Sequence, residues 1–111
     1  MRTLPSTKSV IKLLDEAEAE MIAAAREFEE RVEGLGRRFL AEVQRAFDRI
    51  EKKPGACPPW NFQGVPAGVR HVVLRPFKFT VVFVQEPRLV VVSVRNARKH
   101  PLYWVKRLQH L

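Results

Sequence analysis

Apolar positions recur on different periods along the chain, and each period predicts a different element. Ala17, Met21, Ala24, Ala25, Phe28, Val32 and Leu35 fall on one face of an α-helix. This helix is expected to start at Asp15, a good N-cap residue, and to end at about Glu33. Glu16, Glu18 and Glu20 lie in its first turns, where acids suit the positive end of the helix dipole. The helix acids, including Glu18, Glu29, Glu30 and Glu33, read as a solvated face without a chemical role. Gly34-Leu35-Gly36 then turns the chain, with Gly34 suited to a left-handed conformation. Phe39, Leu40, Val43, Ala46, Phe47 and Ile50 mark a second amphipathic helix, from about Arg37 to Lys53, stopped by Pro54-Gly55. Two such helices around a tight turn form an antiparallel hairpin spanning about residues 15–53.

Beyond the hairpin the period shortens. Residues 54–68 are rich in Pro and Gly and predict a loop, with Trp60 and Phe62 pinning it to the edge of the core. Strands are expected at Val69–Arg75, Phe77–Gln85 and Leu89–Val94, within about residues 69–95. The second strand alternates, with Phe77, Phe79, Val81 and Phe83 on one face and Lys78, Thr80, Val82 and Val84 on the other. The third is apolar almost throughout, as expected of a central strand buried on both faces. Val10–Leu14 predicts a short strand before the helices, preceded by a loose arm over residues 1–9. The tail, 96–111, is broken by Pro101 and could end in a short helix over Leu102–Leu111. The order is β-α-α-β-β-β, an α+β fold in which the hairpin packs on one face of a curved, mainly antiparallel sheet. Residues 10–111 are expected to make one domain.

Length changes little in this picture: 111 residues suit one domain. Charge changes more. Residues 1–53 hold 11 Lys/Arg and 11 Asp/Glu, whereas residues 54–111 hold 9 Lys/Arg and a single acid, Glu86. The whole excess of +8 therefore sits in the second half and suggests a polyanionic partner: nucleic acid, an acidic protein segment or, less readily, a membrane surface. One cysteine, Cys57, excludes an internal disulfide and a Cys-rich zinc site. No apolar run approaches the roughly 18 residues of a membrane span. No spaced His/Cys set, Walker loop or dinucleotide-binding glycine motif is present, so neither a metal nor a nucleotide cofactor is expected.

Several ordered motifs carry a resemblance. Glu16-Ala17, Ala24-Ala25-Arg26-Glu27-Phe28-Glu29 and Gly34-Leu35-Gly36-Arg37-Arg38-Phe39-Leu40-Ala41-Glu42-Val43, then Ile50 and Pro54, resemble the helical hairpin of the RelE/ParE toxin superfamily. Val69-Arg70-His71, Leu74 and Pro76-Phe77 resemble that family's Arg-rich strand and the turn after it. Arg98-Lys99-His100-Pro101-Leu102-Tyr103-Trp104-Val105-Lys106-Arg107 resembles its basic, Pro-x-Tyr-Trp ending. The resemblance spans roughly residues 10–107. Asn96 stands where many members carry a histidine, Arg75 where many carry an aromatic, and Phe77 where tyrosine is more usual.

The resemblance implies a small cytoplasmic toxin of a type II toxin–antitoxin system. Its cognate antitoxin would neutralise it with an extended, acidic C-terminal segment, in a hetero-oligomer. Family members act either on the ribosome, by cleaving mRNA, or on DNA gyrase, without hydrolysis. The leading expectation is ribosome-dependent, metal-free mRNA cleavage. ParE-like gyrase inhibition is the alternative, and an inactivated toxin that only binds antitoxin is a third reading.

Metal-free RNA cleavage needs proton transfer and stabilisation of the phosphorane charge. Arg70, Arg98, Lys99 and Tyr103 are the catalytic candidates: Arg70 as a phosphate clamp, Arg98 and Lys99 as a basic cluster, Tyr103 as a proton carrier or a platform for a base. His100 is a further acid–base candidate. His71, Arg75, Lys78, Arg95, Asn96, Lys106 and Arg107 are candidates for nucleic-acid or partner contacts. Tyr103 and Trp104 could instead pack the tail onto the core.

Overall fold

In the computed structural model, which describes residues 11–111, the two helical stripes do close against a sheet. The order is β1 (Lys12–Leu13), α1 (Asp15–Arg31), α2 (Leu35–Lys52), a 3-10 turn at Pro54–Ala56, β2 (Val69–Leu74), β3 (Phe79–Val84), β4 (Val90–Asn96) and a 3-10 segment at Val105–His110. The class is α+β. The sheet runs β1-β4-β3-β2, with β1 parallel to β4 and the other pairs antiparallel. The arm over residues 1–9 lies outside the described residues, as does Val10 of the first strand.

Local chemistry shifts several boundaries. Leu14, not Asp15, is the N-cap of α1, and no side chain caps it; Asp15, Glu16 and Glu18 still occupy the first turn at the positive dipole end. At the other end α1 stops at Arg31 and α2 begins at Leu35, so the boundaries of both helices shift from those the pattern predicts. Gly34 takes φ +86°, a left-handed conformation that costs glycine nothing. Glu29 makes the turn hold. Its carboxylate accepts from the backbone N–H of Gly34 (2.8 Å) and of Gly36 (3.0 Å), satisfying donors that the start of α2 leaves open. Those bonds also hold the Glu29 carboxyl below its ordinary pKa. Gly36 lies against the backbone of α1: a Cβ there would sit 2.4 Å from the Ala25 carbonyl oxygen.

The expected second strand is shorter than its sequence pattern, because Phe77 and Lys78 belong to a turn. The Phe77 N–H donates to Leu74 O (3.0 Å), and Lys78 has φ +61°. Phe77 still joins the core. It meets Phe28 and Phe39 edge to face at ring-centroid distances of 5.2 and 5.3 Å. The tail forms 3-10 turns in place of the expected short helix, from Val105 rather than Leu102.

Two cores flank the sheet. The first lies under the hairpin and joins Ala17, Ala24, Phe39, Val43, Phe47 and Ile50 to Leu74, Val81, Phe83, Val91 and Val94. The second lies on the opposite face, where Val69, Val82, Val84, Val90 and Val92 surround Trp104, which is 0% exposed. Trp60, Val65, Tyr103, Val105 and Leu108 close it. Both faces of β3 and β4 are therefore buried. The loop and tail supply the second layer, so the sequence expectation of a hairpin on one face describes only half the packing. Burying one large aromatic side chain contributes about 1.5–3 kcal/mol, so Trp104 anchors the tail strongly.

A register shift in the β3–β4 ladder sets the direction of Ser93. Val82 pairs with Ser93 but Phe83 pairs with Val91, leaving Val92 as an extra residue. Paired residues share a face, so Ser93 lies on the side of Val82, together with Val92.

Charge is also sorted by element. Over its range α1 carries seven acids and two bases, whereas α2 carries five bases and three acids. The neutral first half of the sequence thus hides an acidic helix beside a basic one.

Candidate functional site

Where β1 ends, the edge of β4 needs other partners, and side chains supply them. β1 pairs with β4 only through Lys12–Val90 and Leu13–Val91. Past that point Val94 N–H donates to Glu20 Oε1 (3.1 Å) and Arg107 Nη1 donates to the Val92 carbonyl (3.0 Å). The Glu20 carboxylate also accepts from Ser93 Oγ (2.9 Å), from the Tyr103 hydroxyl, and from Arg107 Nη1 (3.0 Å) and Nη2 (3.2 Å). Glu20 and Arg107 side chains are each only 15% exposed. Helix α1, the bulged strand and the tail meet at this one carboxylate.

Glu20 corrects the expectation that the helix acids form a solvated face without a role. The signal is present in the sequence: Ala17, Glu20, Met21 and Ala24 share the i, i+3, i+4, i+7 spacing, which puts Glu20 on the apolar stripe rather than opposite it. Ser93 cannot be found this way, because its direction depends on the bulge.

A cleft of about 350 Å³ opens beside this cluster. Glu20, Ala23 and Glu27 of α1 form one wall, with Val94, Asn96, Lys99 and Tyr103 across from them. Lys99 Nζ and the Arg107 guanidinium carbon lie 5.2 and 5.3 Å from the Tyr103 ring centroid, within cation–π range. Burial, then the hydrogen bond to Glu20, push the Tyr103 phenol up to about 12. At neutral pH Tyr103 is therefore a protonated phenol, able to donate but not to act as a base.

The turn after β4 presents three of the remaining candidates. Asn96 Oδ1 accepts from the Arg98 N–H (2.9 Å), and the Asn96 carbonyl accepts from the Lys99 N–H (3.1 Å). Asn96 thus shapes the turn, as an Asx side chain does. Arg98, Lys99 and His100 are exposed on it. His100 Nδ1 accepts from the Leu102 N–H (3.1 Å), which holds the ring over the Pro101 corner.

Arg70 lies elsewhere. It pairs in the ladder with Phe83, so it points to the hairpin side, and its Nη1 donates to the Cys57 carbonyl (2.6 Å). It belongs to β2, whereas Tyr103 sits at the far edge of β4, with β3 between them. Two strand spacings alone are about 10 Å. The catalytic candidates Arg70 and Tyr103 are therefore not brought together, while Lys99 and Tyr103 are. His71, on the other face, packs its ring 4.8 Å from Trp60. Burial lowers its pKa. Arg95 is 5% exposed, stacks over Trp60 at 5.2 Å and donates from Nη2 to the Lys99 carbonyl (2.8 Å); it is a part of the second core rather than a surface cation. Burial lowers its pKa too. Arg75, Lys78 and Lys106 are exposed. Cys57 is 1% exposed, and burial pushes its thiol up, away from the reactive thiolate.

Among the described residues no three His, Cys, Asp or Glu side chains are grouped to hold a metal ion, and no helix is long and apolar enough to cross a membrane. No protein-family model matches the chain, and no curated protein matches it significantly.

Proposed function

We propose that the chain is a RelE/ParE-like toxin, the growth-inhibiting half of a type II toxin–antitoxin pair, acting in the cytoplasm by binding its target rather than by cutting RNA. One observation carries the choice of mechanism: the groups that would do the chemistry do not converge. Tyr103 is held protonated by its burial and its bond to Glu20, Arg107 is spent on the same carboxylate, and Arg70 is bonded on the other side of the sheet. What remains is a basic, exposed turn, Arg98-Lys99-His100, suited to a negatively charged surface. DNA gyrase is the target that the ParE branch suggests, and an acidic antitoxin is the neutralising partner. Induction of the protein in bacterial cells is expected to arrest growth and to accumulate double-strand DNA breaks while transcripts stay intact. Normal growth under full induction would overturn the reading.

A second reading, metal-free mRNA cleavage, is favoured by Lys99 standing beside Tyr103 at the mouth of the cleft. It requires codon-phased cuts in transcripts after induction, lost in Tyr103→Phe. Glu27 in the same cleft opposes the approach of a phosphate, whereas Glu20 is neutralised by Arg107.

A further inference from the structure

The hairpin buries one side against the sheet and leaves a groove elsewhere. Gly36 of α2 lies against the Ala25 carbonyl of α1. From there a groove of about 530 Å³ follows the crease between the two helices. Ile22 of α1 and Leu40 of α2 both line it, 45% and 41% exposed. Ala25 and Ala41 are too small to fill it, and its polar lining is Glu18, Arg37 and Gln44. Scattered exposed apolar side chains need no explanation, but two that share one apolar groove mark a contact surface.

The two charges of the groove stand on different helices and at opposite ends. The helices run antiparallel and Ala25 is level with Gly36, so Ile22 is about level with Leu40. Glu18 lies four residues from Ile22, away from the Gly34 turn, and Arg37 lies three residues from Leu40, toward it. At the helical rise these are offsets of about 6 and 4.5 Å in opposite directions. A two-fold axis in the plane of the groove mouth, across the middle of the Glu18–Arg37 line, exchanges the two residues. Each Glu18 then faces the Arg37 of the other copy, with Ile22 and Leu40 of both copies between the two contacts. Within its own chain Arg37 is near Glu29, but that carboxylate is already bonded to Gly34 and Gly36. Longer-range charge favours the same face. At +8 two copies repel overall. Over the two helices, however, ten acids outnumber seven bases, and the basic tail packs on the opposite face of the sheet.

We propose that a second copy of this chain occupies the groove, giving a hairpin-to-hairpin dimer closed by two Glu18–Arg37 contacts around a core of Ile22 and Leu40. A fitting partner must offer a base opposite Glu18, an acid opposite Arg37 and apolar side chains between them. The groove itself, turned by 180°, offers that set, and such self-complementarity is what an isologous interface requires. Whether the chain is a toxin has no bearing on this contact.

Sedimentation equilibrium of the whole chain across the micromolar range is expected to show monomer and dimer in exchange. Ile22→Glu, at a position already exposed, should abolish the dimer and leave the thermal midpoint of the monomer unchanged. Glu18→Lys and Arg37→Glu each set like charges together at both contacts of a self-dimer, so each should weaken it roughly tenfold or more. An equimolar mixture of those two variants has opposite charges at both contacts and should dimerise as the wild type does. That recovery cannot come from a variant that has failed to fold. A monomer at every concentration, with residues 1–10 or another protein left to cover the groove, would overturn the proposal. So would a dimer indifferent to Ile22→Glu, or two charge variants that associate no better mixed than alone.

Discussion

Glu20 and Arg107 meet at 3.0 Å, and each also completes a backbone bond that the end of β1 leaves open on β4. The ion pair thus stands in for a missing piece of strand. Removing one partner leaves the other charge buried without its counter-ion, which costs roughly 3–5 kcal/mol. Glu20→Ala is expected to lose that much in urea unfolding. Glu20→Ala and Arg107→Ala combined should cost far less than the sum of the two single changes. Additive costs would show that the two residues are not coupled.

Tyr103 is the sole tyrosine of the chain, so phenolate absorbance near 295 nm reports it alone. Its folded value, about 12, lies above the ordinary 10.0, so folding favours the protonated form. The stability it contributes is complete below pH 10 and is lost as pH rises through 12. The native titration midpoint is expected near 12, falling in Glu20→Gln, which takes the carboxylate's negative charge away from the phenol. A native midpoint at 10 would refute the buried hydrogen bond.

His71 runs the other way. Burial lowers its pKa below the ordinary 6.5, so folding favours the neutral ring. Its contribution is present above pH 6.5 and is lost as pH falls through the folded value. His71→Phe keeps a ring against Trp60 and cannot charge. The wild type should lose stability relative to this variant on going from pH 7.5 to pH 5, as measured by denaturant midpoints at each pH. Parallel curves would exclude a titrating His71.

Gly34 and Gly36 are expected to resist alanine for unrelated reasons. Gly34→Ala forces a side chain into a left-handed backbone at φ +86° and costs roughly 1–2 kcal/mol, with open space around it. Gly36→Ala has an ordinary backbone but drives a Cβ into the Ala25 carbonyl, so α1 and α2 must separate, at about 1–3 kcal/mol. Asparagine, which tolerates the left-handed region, should rescue position 34 in part and position 36 not at all. Thermal unfolding of the four variants separates the two cases.

The hairpin and the order of elements along the chain were legible in sequence because both obey a short period: the stripe from Phe39 to Ile50 on α2, and the alternation from Phe79 to Val84 on β3. The second core was not, since Trp60, Val65 and Trp104 come from segments without a period, and nothing local says which sheet face they cover. Arg95 shows the same limit. A basic residue in a basic stretch reads as a surface contact, yet its place in the ladder opposite Thr80 turns it inward, onto Trp60. Ser93 depends on a single extra residue in β4, and a one-residue register change is invisible without the partner strand.

The charge sorting between α1 and the rest has a kinetic side. With seven acids against two bases, α1 is repelled by any polyanion while the tail and α2 are attracted, so the molecule is turned before it touches. Neutralising Glu16, Glu18 and Glu27 would raise the total attraction yet widen the range of orientations in which a first encounter occurs. More collisions would then arrive with the wrong face forward. An acidic helix on a basic protein serves as a rudder, and its effect reaches about 10 Å from the surface at 0.1 M salt and about 30 Å at a tenth of that ionic strength.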